Sequence, residues 1–131
     1  MSSNRATLQA LMTASKQKDH DAFLDLWVDE GLEYYWSMHA KPITSKEKLR
    51  KFLRNYSAGF DQQEWTITHC IEQGDLMFCE GLEVLFDKTH QRLIRNPFMQ
   101  ALEFRGGKLA KMRDYYDGSV MAPPEGKPAA G

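Results

Sequence analysis

The first candidate for chemistry is an acidic side chain within an apolar row. Asp114 alternates with Ala110, Met112 and Tyr116, so in a strand its carboxylate shares one face with apolar and aromatic side chains. A carboxylate buried in such surroundings has a raised pKa, because burial disfavours the charged form. A raised pKa lets a carboxyl group act as a general acid or base near neutral pH. The pattern therefore makes Asp114 a candidate for a catalytic role.

A second acidic residue has the same kind of setting. Glu83 alternates with Met77, Cys79, Gly81 and Leu85, which again places an acid in a largely apolar row. Two such carboxylates form a candidate acid/base pair. The alternative is that both acids face water or pair with basic neighbours, as acidic residues in strands usually do. The pattern alone leaves both interpretations open.

Motifs for other chemistries are missing from the sequence. It has no Gly-rich phosphate loop, no zinc-type Cys/His spacing and no Gly-x-Ser-x-Gly turn. No two of its histidines share a helix face, so we expect neither a metal site nor a cofactor; the histidines are His20, His39, His69 and His90. His39 is predicted to lie at the surface. His69 alternates with Trp65, Ile67 and Ile71, which predicts a half-buried structural histidine.

Length and composition are those of one ordinary globular domain. The 131 residues are 42% hydrophobic and 27% charged, enough for a core and a modest pocket without disulfides or metal. A net charge of -1 argues against nucleic acid as a partner. Apolar runs are only a few residues long, so no membrane segment is expected. The start of the chain shows no secretory signal, and we expect a cytoplasmic location.

The first half of the chain has mostly helical periodicity. Residues 5–17 and 22–27 carry apolar positions at helical spacing and predict a helical hairpin. Residues 32–38 are rich in aromatics and predict a strand. A third helix is predicted to begin at residues 44–45, where Thr or Ser can cap it, and to end near residue 56.

The second half has the pattern of an antiparallel meander. Four strands are predicted, separated by short turns, over residues 64–72, 76–86, 92–104 and 108–116. The order of elements predicts an α+β domain over residues 1–121, with three N-terminal helices packed on one face of a curved antiparallel sheet. Residues 122–131 contain three of the five prolines and are expected to form a disordered tail.

The two cysteines flank a predicted hairpin turn at Gly74 and Asp75. With a two-residue turn there, residues whose numbers sum to 149 face each other, and Cys70 and Cys79 are such a pair. A cross-strand disulfide is one interpretation. Two reduced cysteines in a cytosolic sheet are the favoured alternative.

Two segments resemble a known superfamily. Residues 18–30, followed by the aromatic strand, are similar to the second helix and first strand of the nuclear transport factor 2-like superfamily. The run Arg-Asp-Tyr-Tyr-Asp at 113–117 resembles the final strand of its limonene-1,2-epoxide hydrolase and SnoaL-like polyketide cyclase branches, where this run carries a working Asp. The resemblance extends over about residues 5–120.

The resemblance implies a cone-shaped, cystatin-like α+β barrel. In this fold a strongly bent sheet wraps around a deep apolar pocket whose mouth the helices partly close. The resemblance also implies a homodimer formed through the outer face of the sheet. One fold of this kind serves many chemistries as well as non-catalytic binding, so each site residue must be matched separately.

The epoxide hydrolases of this superfamily use an Asp-Arg-Asp set, with a Tyr and an Asn that hold the attacking water. The positions that the resemblance matches to these five are, in the same order, Glu83, Gly81, Asp114, Tyr35 and Ser37. Loss of the Arg argues against epoxide hydrolysis, because two unbridged carboxylates repel and one tends to stay protonated. Arg95 could replace it only if its side chain points inward. Tyr35 is expected either to donate a hydrogen bond to a substrate oxygen or to be a core aromatic.

The resemblance also implies the lining of the pocket. The expected lining residues, besides Ser37, are Tyr56, Phe60, Leu85, Asn96, Phe98, Met112 and Tyr116. A lining that is apolar with a few polar groups fits a small hydrophobic or aromatic molecule rather than a sugar, nucleotide or peptide. The alternative is that these are ordinary core residues.

Together these observations predict a cofactor-independent acid/base enzyme. Asp114 would move the proton, Glu83 would act as its protonated partner or orient a water, and Tyr35 would stabilise negative charge on oxygen. The expected reactions are isomerisation, cyclisation, dehydration or related lyase chemistry, with epoxide hydrolysis ranked behind them. The alternative is a non-catalytic module of the same fold that binds a small ligand or dimerises.

Overall fold

The computed structural model describes residues 2–124, so residues 125–131 of the predicted tail lie outside the described residues. The described chain forms three α-helices, five strands and a terminal 3-10 helix. They are α1 (Ser3–Gln17), α2 (His20–Asp25), β1 (Glu33–Tyr35), α3 (Lys46–Gly59), β2 (Phe60–Gln73), β3 (Leu76–Asp87), β4 (Arg92–Arg105), β5 (Lys108–Tyr116) and the 3-10 helix Gly118–Met121.

Local capping explains where the helices begin. The side-chain oxygens of Ser2, Asp19 and Ser45 each accept a hydrogen bond from a backbone N–H in the first turn of α1, α2 and α3. Between α1 and α2 the chain reverses at Lys18, whose φ of 58° is a left-handed helix cap. The predicted helical hairpin is confirmed, and α3 ends three residues later than predicted.

The strands form one five-stranded sheet in the order β1-β5-β4-β3-β2. Strands β2 to β5 make the predicted antiparallel meander, whereas β1 pairs with β5 in parallel. The prediction of an α+β fold is confirmed, but the sheet is mixed rather than wholly antiparallel. A helical connection separates β1 from the meander, and such a long connection allows a parallel pairing. Within residues 2–124, β1 and β2 do not pair, so the curved sheet stays open.

The β2–β3 hairpin has the predicted register near its turn. Cys70 faces Cys79, and their sulfur atoms are 3.4 Å apart and unbonded. Farther from the turn, a bulge between Ile67 and His69 changes which residues of β2 point inward. His69 is therefore exposed and hydrogen-bonds Glu80, and the prediction that it is half-buried is wrong.

Helices α1 to α3 cover the inner face of the sheet, which carries the buried side chains of Met77, Leu102 and Met112. Trp27 and Leu49 from the helical side complete this core. The opposite, outer face exposes five large apolar side chains, which are Ile71, Phe78, Leu93, Met99 and Tyr115. In the part of the chain that is described, no helix combines the length and the apolar character needed to cross a bilayer.

Candidate active site

A cavity of about 490 Å³ lies between the inner face of the sheet and helix α3. Every residue predicted to belong to the site lines it, apart from Tyr35. These residues are Ser37, Tyr56, Phe60, Glu83, Leu85, Asn96, Phe98, Met112, Asp114 and Tyr116. The alternation along β3 and β5 therefore predicted the inward-facing Glu83 and Asp114, and the β4 residues that the resemblance implies, Asn96 and Phe98, also face inward.

Strand β4 stands between the strands that carry the two acids. Glu83 on β3 pairs across the ladder with Asn96, and Asp114 on β5 pairs with Gln100. Directly paired residues in a sheet point to the same face, so all four side chains reach the cavity. The two carboxylates thus share one enclosed space, and each has an amide side chain beside it.

Asp114 has a strongly raised pKa. The Tyr34 hydroxyl donates to its Oδ2 at 2.8 Å, and Gln100 Nε2 donates to its Oδ1 at 2.9 Å. Burial raises the pKa of Asp114 to about 7; the hydrogen bonds from Gln100 and Tyr34 oppose this shift, and the charge of Glu83 adds to it. Near neutral pH the group is therefore poised between accepting and donating a proton.

Glu83 is held in place by three donors. The Tyr56 hydroxyl and Gln62 Nε2 donate to its Oε2 at 3.0 and 2.8 Å, and Asn96 Nδ2 lies 3.5 Å from its Oε1. Burial and the charge of Glu83 raise the pKa of Tyr56, so its hydroxyl keeps its proton and remains a donor. These contacts fix the orientation of the Glu83 carboxylate at the cavity wall.

The architecture and the sequence can both be compared with known proteins. A family model described as SnoaL-like domain matches residues 8–112, most of the chain. The chain belongs to the SnoaL-like domain family. A search of the curated proteins found no match.

Solved structures share the fold of this SnoaL-like domain at low sequence identity. A candidate isomerase from Bacillus subtilis has a TM-score of 0.81 and 18% identity, covering 90% of this chain and 88% of its own. An LEH-like epoxide hydrolase from M. tuberculosis has a TM-score of 0.76 and 18% identity, and the match covers 91% of this chain and 86% of that one. A candidate polyketide cyclase from Xanthomonas campestris has a TM-score of 0.75 and 14% identity, and the match covers 88% of this chain and 90% of that one. At these identities the likeness shows the fold alone, the nuclear transport factor 2-like α+β fold.

The tyrosine of β1 that lines the cavity is Tyr34 rather than Tyr35. In the parallel pairing with β5, Tyr34 stands beside Met112 on the inner face and Tyr35 beside Arg113 on the other. Tyr35 does not line the cavity; its hydroxyl donates to Glu33 Oε1 at 2.7 Å. The placement of Tyr35 in the site is therefore wrong. The sequence held a usable signal, since Tyr34 is two residues after the buried Leu32 and shares its side of the chain.

Two amide residues of the site were also missed from the sequence. Gln100 is buried between Phe98 and Leu102 on β4, the same kind of apolar row that identified Asp114. Looking for a polar residue within an apolar row would therefore have identified Gln100 from the sequence. Gln62 gave no such signal, because a bulge directly follows it on β2 and breaks the alternation.

In the described part of this SnoaL-like domain, no basic side chain bridges the two carboxylates. At Gly81 an added Cβ would overlap the backbone oxygen of Thr66 and lie 2.8 Å from Phe98 Cζ, so a longer residue does not fit. Arg95 is exposed and does not line the cavity. Within residues 2–124, no cluster of three or more His, Cys, Asp or Glu side chains could hold a metal ion.

Proposed function

We propose that this SnoaL-like domain is a cofactor-independent acid/base enzyme for a small hydrophobic or aromatic molecule. The reaction is an isomerisation, cyclisation, dehydration or related lyase step. One observation carries the proposal: Asp114 faces a cavity with many aromatic side chains and has a pKa of about 7. Epoxide hydrolysis is less well supported, because no Arg joins Asp114 to Glu83.

The contacts support a division of roles. Asp114 accepts a proton from the substrate and returns it at another atom, which leaves the enzyme unchanged after each turnover. Tyr34 and Gln100 hold the Asp114 carboxylate and oppose the rise of its pKa. Glu83 orients a water or a polar group of the substrate from β3, on the other side of β4, in the position that Tyr56 and Gln62 fix.

A general-base probe tests the proposal without knowledge of the natural substrate. In nitrobenzisoxazole a base removes the ring C–H proton while the N–O bond breaks, which releases a coloured nitrophenolate. We expect saturable turnover that rises with pH and levels off, with a midpoint near 7, because only the ionised Asp114 accepts the proton. A rate no greater than that of free acetate, or a midpoint near the ordinary Asp pKa of 3.8, would contradict the proposal.

The tyrosine assignment makes a paired prediction. Tyr34→Phe removes a hydrogen bond that lowers the pKa of Asp114, so the midpoint of the pH–rate profile moves to higher pH. Below the midpoint we expect the rate to fall about tenfold, the equivalent of one hydrogen bond to a charged group. Tyr35→Phe, the matched control, leaves both the midpoint and the rate unchanged. Equal effects of the two substitutions would contradict the assignment of Tyr34 as the tyrosine that holds Asp114.

A ligand-binding module is the second candidate function. It is favoured by the full hydrogen bonding of Glu83, which accepts from Tyr56, Gln62 and Asn96 and so has a structural role without any substrate. Under this alternative the cavity binds nitrobenzisoxazole but does not accelerate its elimination. The rate measurement described above separates the two functions.

We also propose that two copies associate through the outer face of the sheet, as the SnoaL-like resemblance implies. The five exposed apolar side chains of this face support the proposal, because exposed apolar surface on a sheet is typical of an interface. By sedimentation at micromolar concentration we expect a dimer, which Met99→Lys converts to a monomer. Met38→Lys changes a more exposed methionine outside the sheet and keeps the dimer. A monomeric wild type would contradict the proposal.

A further inference from the structure

We infer that the substrate is a cationic amine attached to an apolar group, and that its positive charge lies between Glu83 and the aromatic side chains of the cavity. The inference rests on the proposed function, because it names the substrate class of the same site. It is carried by two properties of the cavity wall: its charge and its aromatic surface.

Among the described lining residues, the ionisable groups of the cavity wall include acids and no basic side chain. The two carboxylates of Glu83 and Asp114 face the cavity. Among the described residues that line it, none is Lys, Arg or His. An anionic ligand would meet these acids without a compensating charge, whereas a cation would find its partner already in place. In an enclosed cavity such interactions are screened much less than at the surface.

Aromatic rings cover the side of the cavity formed by helix α3. Phe52 packs against Tyr34, Trp36 and Tyr56 with ring centroids 5.5 to 6.2 Å apart, and Tyr56 packs against Phe60 at 5.5 Å. The faces of such rings attract cations. Because the Tyr56 hydroxyl also donates to Glu83, this aromatic surface meets the acid directly.

A cationic substrate fits the proposed chemistry. A positive charge close to Asp114 favours its carboxylate form, which is the form that accepts a proton. The charge that binds the substrate thus also prepares the base, and the uncharged part of the molecule occupies the apolar remainder of the cavity.

The test compares three probes that share a phenyl group. Benzyltrimethylammonium is cationic, neopentylbenzene is its uncharged carbon isostere, and phenylacetate is anionic. Their binding is followed at equilibrium by the fluorescence of Trp36 and Trp65, which line the cavity. We expect the cation to bind about tenfold more tightly than the isostere, and phenylacetate to bind more weakly than both.

Two variants on the same strand locate the charge. Glu83→Gln is expected to remove most of the preference for the cation while leaving the affinity for neopentylbenzene unchanged. Glu80→Gln removes a carboxylate from the outer face of β3, outside the cavity, and should keep the preference. The comparison of the three probes on the wild type needs no variant, so it remains decisive if Glu83→Gln fails to fold.

The outcomes separate the inference from the proposed function. If neopentylbenzene or phenylacetate binds the wild type as tightly as the cation, the inference is overturned, whether or not nitrobenzisoxazole is turned over. Loss of the preference in Glu80→Gln, or its full retention in folded Glu83→Gln, overturns it as well. If the protein clearly prefers the cation but does not turn over nitrobenzisoxazole, the inference about binding is upheld and the proposed enzymatic activity is refuted.

Discussion

Asp114→Asn lowers the turnover of nitrobenzisoxazole about 10²-fold or more and leaves the affinity for it nearly unchanged. The amide has almost the shape of the carboxylate but cannot accept the proton. The local hydrogen bonds survive, because the Tyr34 hydroxyl can still donate to the remaining oxygen. Gln100 can turn its amide so that Oε1, which has no partner among the described wild-type residues, accepts from the new NH2 group. Steady-state rates across pH 5 to 9 measure the effect.

The same substitution changes how stability depends on pH. In the native wild type Asp114 holds its proton up to a pKa of about 7, whereas the unfolded chain releases it near 3.8. Its contribution to the free energy of unfolding is therefore full below pH 4 and is lost as the pH rises through 7. Asn does not ionise and escapes this loss. Relative to the wild type, Asp114→Asn should gain about 1 kcal/mol or more between pH 4 and pH 8, measured by urea unfolding.

A surface carboxylate is the matched control for Asp114→Asn. Asp25 is exposed near the end of α2 and does not line the cavity. Asp25→Asn should keep the wild-type rate, the midpoint near 7 and the wild-type dependence of stability on pH. Wild-type turnover in folded Asp114→Asn would show that another group is the base.

Gly81→Ala lowers the free energy of unfolding by about 3 kcal/mol, at the upper end for overpacking. The added Cβ would overlap the Thr66 backbone oxygen on β2 and crowd Phe98 Cζ at 2.8 Å. A backbone oxygen in a paired strand cannot move aside as the end of a side chain can, so the β2–β3 ladder must shift. Strand β2 comes close to β3 beside the bulge that follows Ile67, the residue that pairs with Gly81. Only glycine leaves room for this close approach. Chemical denaturation measures the loss.

Gly59→Ala is the control for Gly81→Ala. A Cβ at Gly59 meets nothing within 4 Å, and Gly59 is the last residue of α3. Replacing it by Ala should leave stability unchanged or raise it by up to about 1 kcal/mol. A stable Gly81→Ala variant would mean that the close approach of β2 to β3 is not needed. Restoring the family Arg at position 81 should disrupt the sheet for the same reason, rather than create an epoxide hydrolase.

Within strands β3, β4 and β5, most of the site could be predicted from the sequence. A side chain two positions along a strand returns to the same face, and Asp114 and Glu83 each interrupt an apolar row. The two-residue turn at Gly74 and Asp75 fixed the partners near it, so the pairing of Cys70 with Cys79 followed from numbering alone. In this part of the chain, strand alternation and turn length are enough to predict which side chains face inward and which residues pair.

The errors fall where alternation is broken or the pairing is distant in sequence. The bulge after Ile67 inserts one residue into β2, and a shift of one residue reverses which side chains point inward; His69 is therefore exposed. Strand β1 has only three residues, and its face is set by its parallel pairing with β5, far away in the chain. That pairing, and not the local pattern, selects Tyr34 over Tyr35.

By itself the sequence determined the α+β class, the meander and the acidic positions on its strands, because these depend on periodicity and turns between residues close together in the chain. Only the tertiary structure decided that Tyr34 and Gln100 hold Asp114, that Tyr56 and Gln62 hold Glu83, and that the two acids share one cavity. Those contacts join residues from separate elements, and the burial that raises the pKa of Asp114 arises only once the sheet curves around them.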